Sequence, residues 1–375
     1  MEIKIGVEEL QEIFGVLSNV VRGNDDDVTS MVMMYTKNDK INFRASNIST
    51  TVEINARGGE IIKPGKVLFK LQDIKGYIGK FIPLIEDYGT EWFHFVIEDV
   101  SGFLKTKTLF KENKPAYRKL KFSTYNYDMP SNLKEFPEPQ FILNSTILKM
   151  GINKVLYCVN PQDFRKALSG VKITLQQDKI IFAGTDGVKL SEFIVDINTS
   201  VEEKSYIFRY DLAYILKSIL PDDSQVFINI DSNRMYVKSN NLYIIGGLIL
   251  DETYPDYRSM FDLENVIRIP TEDFYDSIRV TTDVLESEDN FRLSLKMSDN
   301  ILKIRSKWIE SEEEFKENFG SVLDIDINGV LLESVLRGIR GENLDIMFTS
   351  DANYIVMRSV EYPNQTALLT TLKRR

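Results

Sequence analysis

The chain has one cysteine, one histidine and two tryptophans among 375 residues. A lone Cys158 excludes an internal disulfide and makes a reducing compartment the default; its plainest reading is a small buried hydrophobe. A lone His94, in the alternating run "EWFHFVIED", excludes Ser-His-Asp triads and multi-histidine metal sites. Long apolar runs are missing too. Stretches such as "YIIGGLIL" (243–250) fall far short of the ~20 residues a spanning helix needs. The opening "MEIKIGVEEL" alternates like a strand and does not read as a signal peptide. Positive charge is in deficit, with 46 Lys and Arg against 56 Asp and Glu. That argues against a protein that coats nucleic acid with its whole surface, though not against one with a minority basic face.

What is present points to sheet-rich domains. The length exceeds one ordinary core, so two or three domains are expected. The 22 Phe and 17 Tyr lean toward strands. A search for repeats finds one pattern six times: a short alternating strand running into a single amphipathic helix. The copies start at Glu2, Lys66, Gln140, Ser205, Val266 and Ser321, ~55–75 residues apart, long enough for several strands per helix. Apolar stripes at helical spacing run through Leu10, Ile13, Phe14 and Leu17, through Leu212, Ile215, Leu216 and Ile219, and through Leu332, Val335, Leu336 and Ile339. The third copy keeps the spacing with a gap at Gly151 (Leu148, Ile152, Val155), and the fifth, with Phe274 and Ile278, is weaker. Hairpins are expected in 40–57, 225–250 and 291–315. The fold class is therefore α+β: three similar domains, each a pseudo-twofold pair of helix-plus-antiparallel-strand modules. The joints fall at "EFPEPQ" (135–140) and near "FDLEN" (261–265), giving domains 1–139, 140–263 and 264–375.

The stretch "IIFAGTDGVKLSEFIV" (180–195) raises the question of a phosphate cradle. A Walker loop needs GxxxxGK[ST] leading from a strand into a helix. "AGTDGVKL" lacks that spacing and is followed by strand-like alternation, so it reads as a hairpin turn. The carboxylate run "NDDDV" (24–28) lacks calcium-loop spacing, and nothing favours a catalytic pair in "ESEEEF" (310–315). Aromatic RNA-binding signatures and Cys-His fingers are absent. No cofactor and no metal site are expected.

That hairpin, followed some sixty residues later by "LILDETYPDYRSMF", resembles the bacterial DNA sliding clamp family, the beta subunit of DNA polymerase III, with its ATDGHRLA-like and FPDYRRV-like segments. "LKMGINKVLYCVNPQDFRKAL" (148–168) is similar to the family's helix and DNA-facing loop just before the hairpin. The resemblance is specific in the middle third, fair in the last and weak in the first. It implies three domains of like topology per chain and two chains closing head to tail into a ring around duplex DNA, with helices lining the hole.

On that reading, contacts to DNA are phosphate-directed and independent of sequence. Inner-face candidates are Lys75, Lys80, Lys149, Lys154, Lys217, Arg279, Arg337 and Arg340, and the resemblance adds Arg22, Gln162, Arg165 and Lys166 in loops. The family's pocket for partner peptides would be walled by Leu168, Thr185, Gly187, Val188, Lys189, Leu190, Pro255, Ser259 and Met260, with Leu368, Thr370 and Leu372 from the C-terminal segment. Val188 and Lys189 stand where the family commonly has His and Arg, and "ALLTTLKRR" replaces its Met-Pro-Met-like tail. For the homodimer interface, Lys105 and Lys107 in "FLKTKTLFK" would meet Glu310, Glu312, Glu313 and Glu314, with Val284, Leu285 and Leu104 as apolar contacts. The implied partners are a replicative polymerase and a clamp-loader ATPase, in the cytoplasm, with no membrane. Two rival readings are a carboxylate enzyme recruiting a metal and a clamp-like monomeric adaptor for partner peptides.

Overall fold

A computed structural model describes residues 1–21, 27–79, 92–98, 101–109, 115–125, 133, 135–197, 203–261 and 263–374. Six α-helices occur among them: α1 (Val7–Leu17), α2 (Leu71–Gly79), α3 (Ser145–Leu156), α4 (Tyr210–Ile219), α5 (Thr271–Thr282) and α6 (Gly329–Gly338). Each begins directly after a strand: Glu2–Gly6, Lys66–Lys70, Phe141–Asn144, Lys204–Arg209, Asn265–Pro270 and Leu323–Asn328. This is the sixfold strand-into-helix pattern read from periodicity.

The helices bury the stripes expected of them. Leu10, Ile13, Phe14 and Leu17 are all at most 2% exposed, and Leu332, Val335 and Leu336 at most 1%. Helix α5 looked weak because hydroxyl residues complete its inner face: Thr271, Ser277 and Thr281 are buried beside Phe274 and Ile278. Ser277 and Thr281 return their hydroxyls to the carbonyls of Asp273 and Ile278, which lets these two polar side chains sit in a core, while the buried Thr271 hydroxyl has no such partner.

The chain divides into two compact units, Met1–Lys149 with Tyr214–Leu248 and Met150–Ala213 with Ile249–Arg375. In the first, one antiparallel sheet runs in the order Glu60–Lys63, Glu2–Gly6, Trp92–Glu98, Ser101–Leu109, Pro115–Ser123. A longer run of antiparallel pairs takes in the predicted hairpins, Lys40–Ser46 with Thr50–Asn55, and Gln225–Ile230 with Arg234–Ser239 and Leu242–Ile249. The second unit holds a sheet in the order Asn265–Pro270, Asn343–Phe348, Tyr354–Ser359, Gln365–Thr370, Lys189–Asp196, Lys179–Thr185, Gly170–Gln176, Lys204–Arg209. It also holds a four-stranded sheet, Glu310–Glu314, Ile301–Arg305, Arg292–Ser298, Leu323–Asn328.

The gap at Gly151 has a steric cause. A Cβ there would lie 2.3 Å from Cε2 of Phe182, a fully buried ring on strand Lys179–Thr185. The missing side chain is the space the ring occupies. Gly151→Ala is therefore expected to destabilise the protein by about 1–3 kcal/mol through overpacking, although alanine is the better helix former by ~1 kcal/mol. Urea denaturation measures this; a variant as stable as the parent would contradict the tight packing.

Candidate functional site

The 180–195 stretch is the hairpin its sequence suggested. Strands Lys179–Thr185 and Lys189–Asp196 pair antiparallel, and Gly187 turns the chain at φ +86°. The loop amides are already consumed. Asp186 Oδ1 accepts from the backbone N–H of Val188 and of Lys189, both at 2.9 Å, and Thr185 Oγ1 accepts from Gly187 at 3.0 Å. Those three donors are satisfied inside the turn, so they make no phosphate cradle. Lys189 is only 9% exposed and its Nζ lies 2.7 Å from Asp186 Oδ2, so this cation serves the turn.

Cross-strand register gathers the residues expected in a peptide pocket. Leu190 stands opposite Thr185 on one side and Leu368 on the other, and Leu368 opposite Val356. Leu168, Leu190 and Leu368 belong to one apolar cluster with Tyr254, Tyr257 and Phe261, and Met260 packs half-buried against it. The three leucines are 3–5% exposed and lie inside the cluster, whereas Val188 (43% exposed), Gly187, Pro255 and Ser259 are exposed. Thr370 is tied to the hairpin by its N–H to the Val188 carbonyl at 2.9 Å. Leu372 turns away: its N–H goes to the Asp326 carbonyl at 2.7 Å, and nothing places its side chain in the cluster.

Three residues that the sequence reading passed over hold this surface together. Glu192, 4% exposed, accepts from Tyr257 Oη at 2.7 Å and from Arg258 Nε and Nη2 at 3.1 Å each. Burial opposes the charge on Arg258, but Glu192 and Tyr257 outweigh it and hold the guanidinium pKa above its ordinary value. The signal was present in "YPDYR", where tyrosine and arginine are adjacent; the buried partner was not.

The basic candidates fall into two groups. Lys149 Nζ donates to the Leu220 carbonyl at 3.1 Å, past the end of α4, and pairs with Asp222. Lys154 Nζ donates to the Gly338 carbonyl at 2.7 Å, at the end of α6. Both cap helix C-termini, where carbonyls lack intrahelical donors and the dipole favours a cation. Burial, followed by the nearby Arg340, pulls the Lys154 ammonium pKa below its usual value. Both ammonium groups are thus engaged within the chain. By contrast Lys75, Gln162, Arg165, Lys166, Arg279, Arg337 and Arg340 are exposed and Lys217 half-buried. Arg279 pairs with Asp276 at 3.1 Å, an exposed pair that an incoming phosphate can reshape at small cost, and Arg337 pairs at 2.5 Å with the largely buried Glu333. Arg165 is held by both oxygens of Asp163 and by the Asp186 carbonyl. Arg22 and Lys80 lie outside the described residues.

Residues 142–256 match the sequence profile of the DNA polymerase III beta subunit, central domain. The beta sliding clamp of Rickettsia bellii is 22% identical over 255 residues, covering 63% of this chain and 67% of that one. The clamp of Staphylococcus aureus is 21% identical over 239 residues, covering 62% and 63%. The DNA polymerase III beta subunits of Pseudomonas aeruginosa and Thermotoga maritima superpose over the full length of both chains, with TM-scores of 0.86 and 0.85 at 17% and 14% identity. The middle of the chain thus resembles the central domain of that subunit, and the chain as a whole shares the fold of the solved beta subunits. The profile match covers the hairpin and Pro255 but stops before Ser259, Met260 and the C-terminal strand.

Within that fold the expected interface residues sit unevenly. Glu310–Glu314 is an edge strand with Glu310, Glu312 and Glu314 exposed and Glu313 half-buried, accepting from the Ser277 hydroxyl. Its charges are partly answered within the unit, since Arg305 lies 2.6 Å from Glu310 and Lys303 2.7 Å from Glu312. Beside it runs a groove of about 800 Å³ lined by Val280, Ser277, Glu313 and Phe315, with Val280 66% exposed. Val284 is 40% exposed and Leu285 half-buried against the core. Trp308, 61% exposed beside Val284, was not singled out from the sequence. Leu104 corrects an expectation: strand Ser101–Leu109 is flanked on both sides, and alternation sends Leu104 fully into the core while Lys105 stays half-exposed. The exposed lysines of the edge belong to the next strand, Lys119 and Lys121 on Pro115–Ser123. The side chain of Lys107 lies outside the described residues.

Removing a half-buried cap should cost more than removing a solvated charge. Lys154→Met is expected to lower stability by about 1–2 kcal/mol, while Lys166→Met stays within about 0.5 kcal/mol. Urea titrations of the two variants compare them directly, and equal midpoints would return Lys154 to the set of surface cations.

Proposed function

We propose that this chain is a DNA polymerase processivity factor: a sliding clamp that encircles duplex DNA as a head-to-tail homodimer and tethers polymerase through the pocket around Leu190 and Met260. The observation that carries the reading is the full-length superposition on DNA polymerase III beta subunits, together with the six strand-into-helix modules that make it up. On this reading the modules pair into domains 1–139, 140–263 and 264–375. A clamp holds DNA by linkage rather than affinity, so weak exposed cations such as Lys75, Lys166, Arg279, Arg337 and Arg340 suffice, and an acidic total is no obstacle.

Dimerisation would join two sheet edges. Among the described residues, the strand Glu310–Glu314 has an open side in one protomer, and Pro115–Ser123, with Lys119 and Lys121, has one in its partner. Strand addition supplies backbone hydrogen bonds and opposite charges set the register. Val280, Val284 and Trp308 would provide the apolar contacts beside that edge. The clamp itself does no chemistry; a separate loader ATPase opens it, in the cytoplasm at replicating DNA. No described helix is long and apolar enough to cross a membrane.

Loaded protein is expected to stay on nicked circular duplex through a high-salt wash and to be lost once the circle is cut. Gel filtration of the complexes before and after linearisation reads this out. Equal retention on both forms would overturn encirclement, and a chain that sediments only as a monomer at micromolar concentration would favour the adaptor reading.

A further inference from the structure

We infer that Glu192 is a positioning residue of the partner-binding surface, a buried carboxylate that pins the 254–261 segment, and with it Met260, over the strand that carries Leu190. This rests on the pocket reading above and identifies the group that shapes the pocket.

The argument starts from strand alternation. On Lys189–Asp196, Leu190 and Glu192 share a face, and their cross-strand neighbours are Thr185 and Leu368 for the first, Ala183 and Thr366 for the second. That face is apolar around Leu190, so a carboxylate there carries a large desolvation cost unless its oxygens are answered. Among the described residues, the hydrogen bonds to this carboxylate come from the 254–261 segment: a phenol and a two-pronged guanidinium from consecutive residues, all on Oε2. Tyr257 then fixes its neighbours by ring contacts, edge-on to Tyr254 at 6.3 Å and tilted to Phe261 at 5.6 Å. Arg258–Met260 forms a single 3₁₀ turn closed by Met260 N–H to the Tyr257 carbonyl at 3.0 Å and Phe261 N–H to the Arg258 carbonyl at 3.1 Å. Met260 therefore takes its position from a turn whose N-cap, Tyr257, and first residue, Arg258, are both bound to Glu192.

A buried ion pair is a poor source of net stability but a good source of unique geometry. Arg258 sharpens that contrast, because its side chain is 46% exposed. When the carboxylate is neutralised, the guanidinium can swing into water, so the global fold loses little while the segment loses its fixed register. Lys172 Nζ also lies over the Tyr254 ring, 5.3 Å from its centroid. Glu192 supplies the side-chain hydrogen bonds that join the segment to the Leu190 strand.

The test compares Glu192→Gln and Tyr257→Phe with the parent chain, with Leu190→Glu as the pocket control. Two quantities are read: hydrogen exchange at the amides of Met260 and Phe261, and affinity for a fluorescein-labelled linear peptide with leucine and phenylalanine anchors. Glu192→Gln is expected to speed exchange at those amides and weaken peptide binding, each roughly tenfold, with an unchanged thermal midpoint. Tyr257→Phe should do the same to a lesser degree. Combining Glu192→Gln with Arg258→Gln should add little to the first change, since both act through one contact. Unaltered exchange and affinity in Glu192→Gln, while Leu190→Glu abolishes binding, would overturn the inference and leave the pocket standing. Binding that survives Leu190→Glu would instead sink the pocket reading, and exchange at Met260 and Phe261 would still decide whether Glu192 pins the segment.

Discussion

An amphipathic helix can bury one face only, and the rest of this molecule follows from repeating that constraint, six times among the described residues. Each helix enters from a strand and lays its stripe on a sheet, Leu10 to Leu17 in α1 and Leu332 to Leu336 in α6 being the clearest cases. The opposite face must then be polar. A fold of this kind offers outward helix faces without dedicating any sequence motif to them, which suits a protein whose proposed hold on DNA requires no base contacts. The hydrophobic term sets the architecture, and weak electrostatics can be distributed over what it leaves exposed.

The same constraint explains why some charged side chains are not free for a ligand. Lys149 and Lys154 lie on α3 away from its stripe, yet each bends to a carbonyl at the end of another helix. Helix ends carry unsatisfied acceptors, and a long amphipathic lysine stem can cover apolar surface on the way to them. Lys189 and Asp186 form a comparable closed pair in the hairpin. Charge in this chain is thus divided between structural cations, half-buried and hydrogen-bonded, and exposed ones such as Lys166 and Arg340.

Much of the architecture was legible because it depends on period. The hairpin at Gly187, the strand before every helix and the stripes all follow from spacings of two and 3.6 residues. The proposed pocket rests on likeness to a known family, because Leu190 and Leu368 read as ordinary core residues from periodicity. Glu192 was not legible at all. Alternation sorts residues between two faces, but on Lys189–Asp196 both faces are covered at the start of the strand: Lys189, Leu190, Ser191, Glu192 and Phe193 are all buried. Leu104 failed for the related reason that an alternating basic strand looks like an edge until the next strand, Pro115–Ser123, is found outside it. The partners of Lys149 and Lys154 lie 71 and 184 residues away along the chain, beyond any local pattern.

Of the available measurements, electron-microscope class averages of the purified protein bear most directly on the central claim that nucleic acid is held by enclosure. The account predicts a closed annulus built of two chains, with an open centre wide enough for a duplex. A population of solid particles, with no annulus even after loading onto nicked circular DNA, would contradict it.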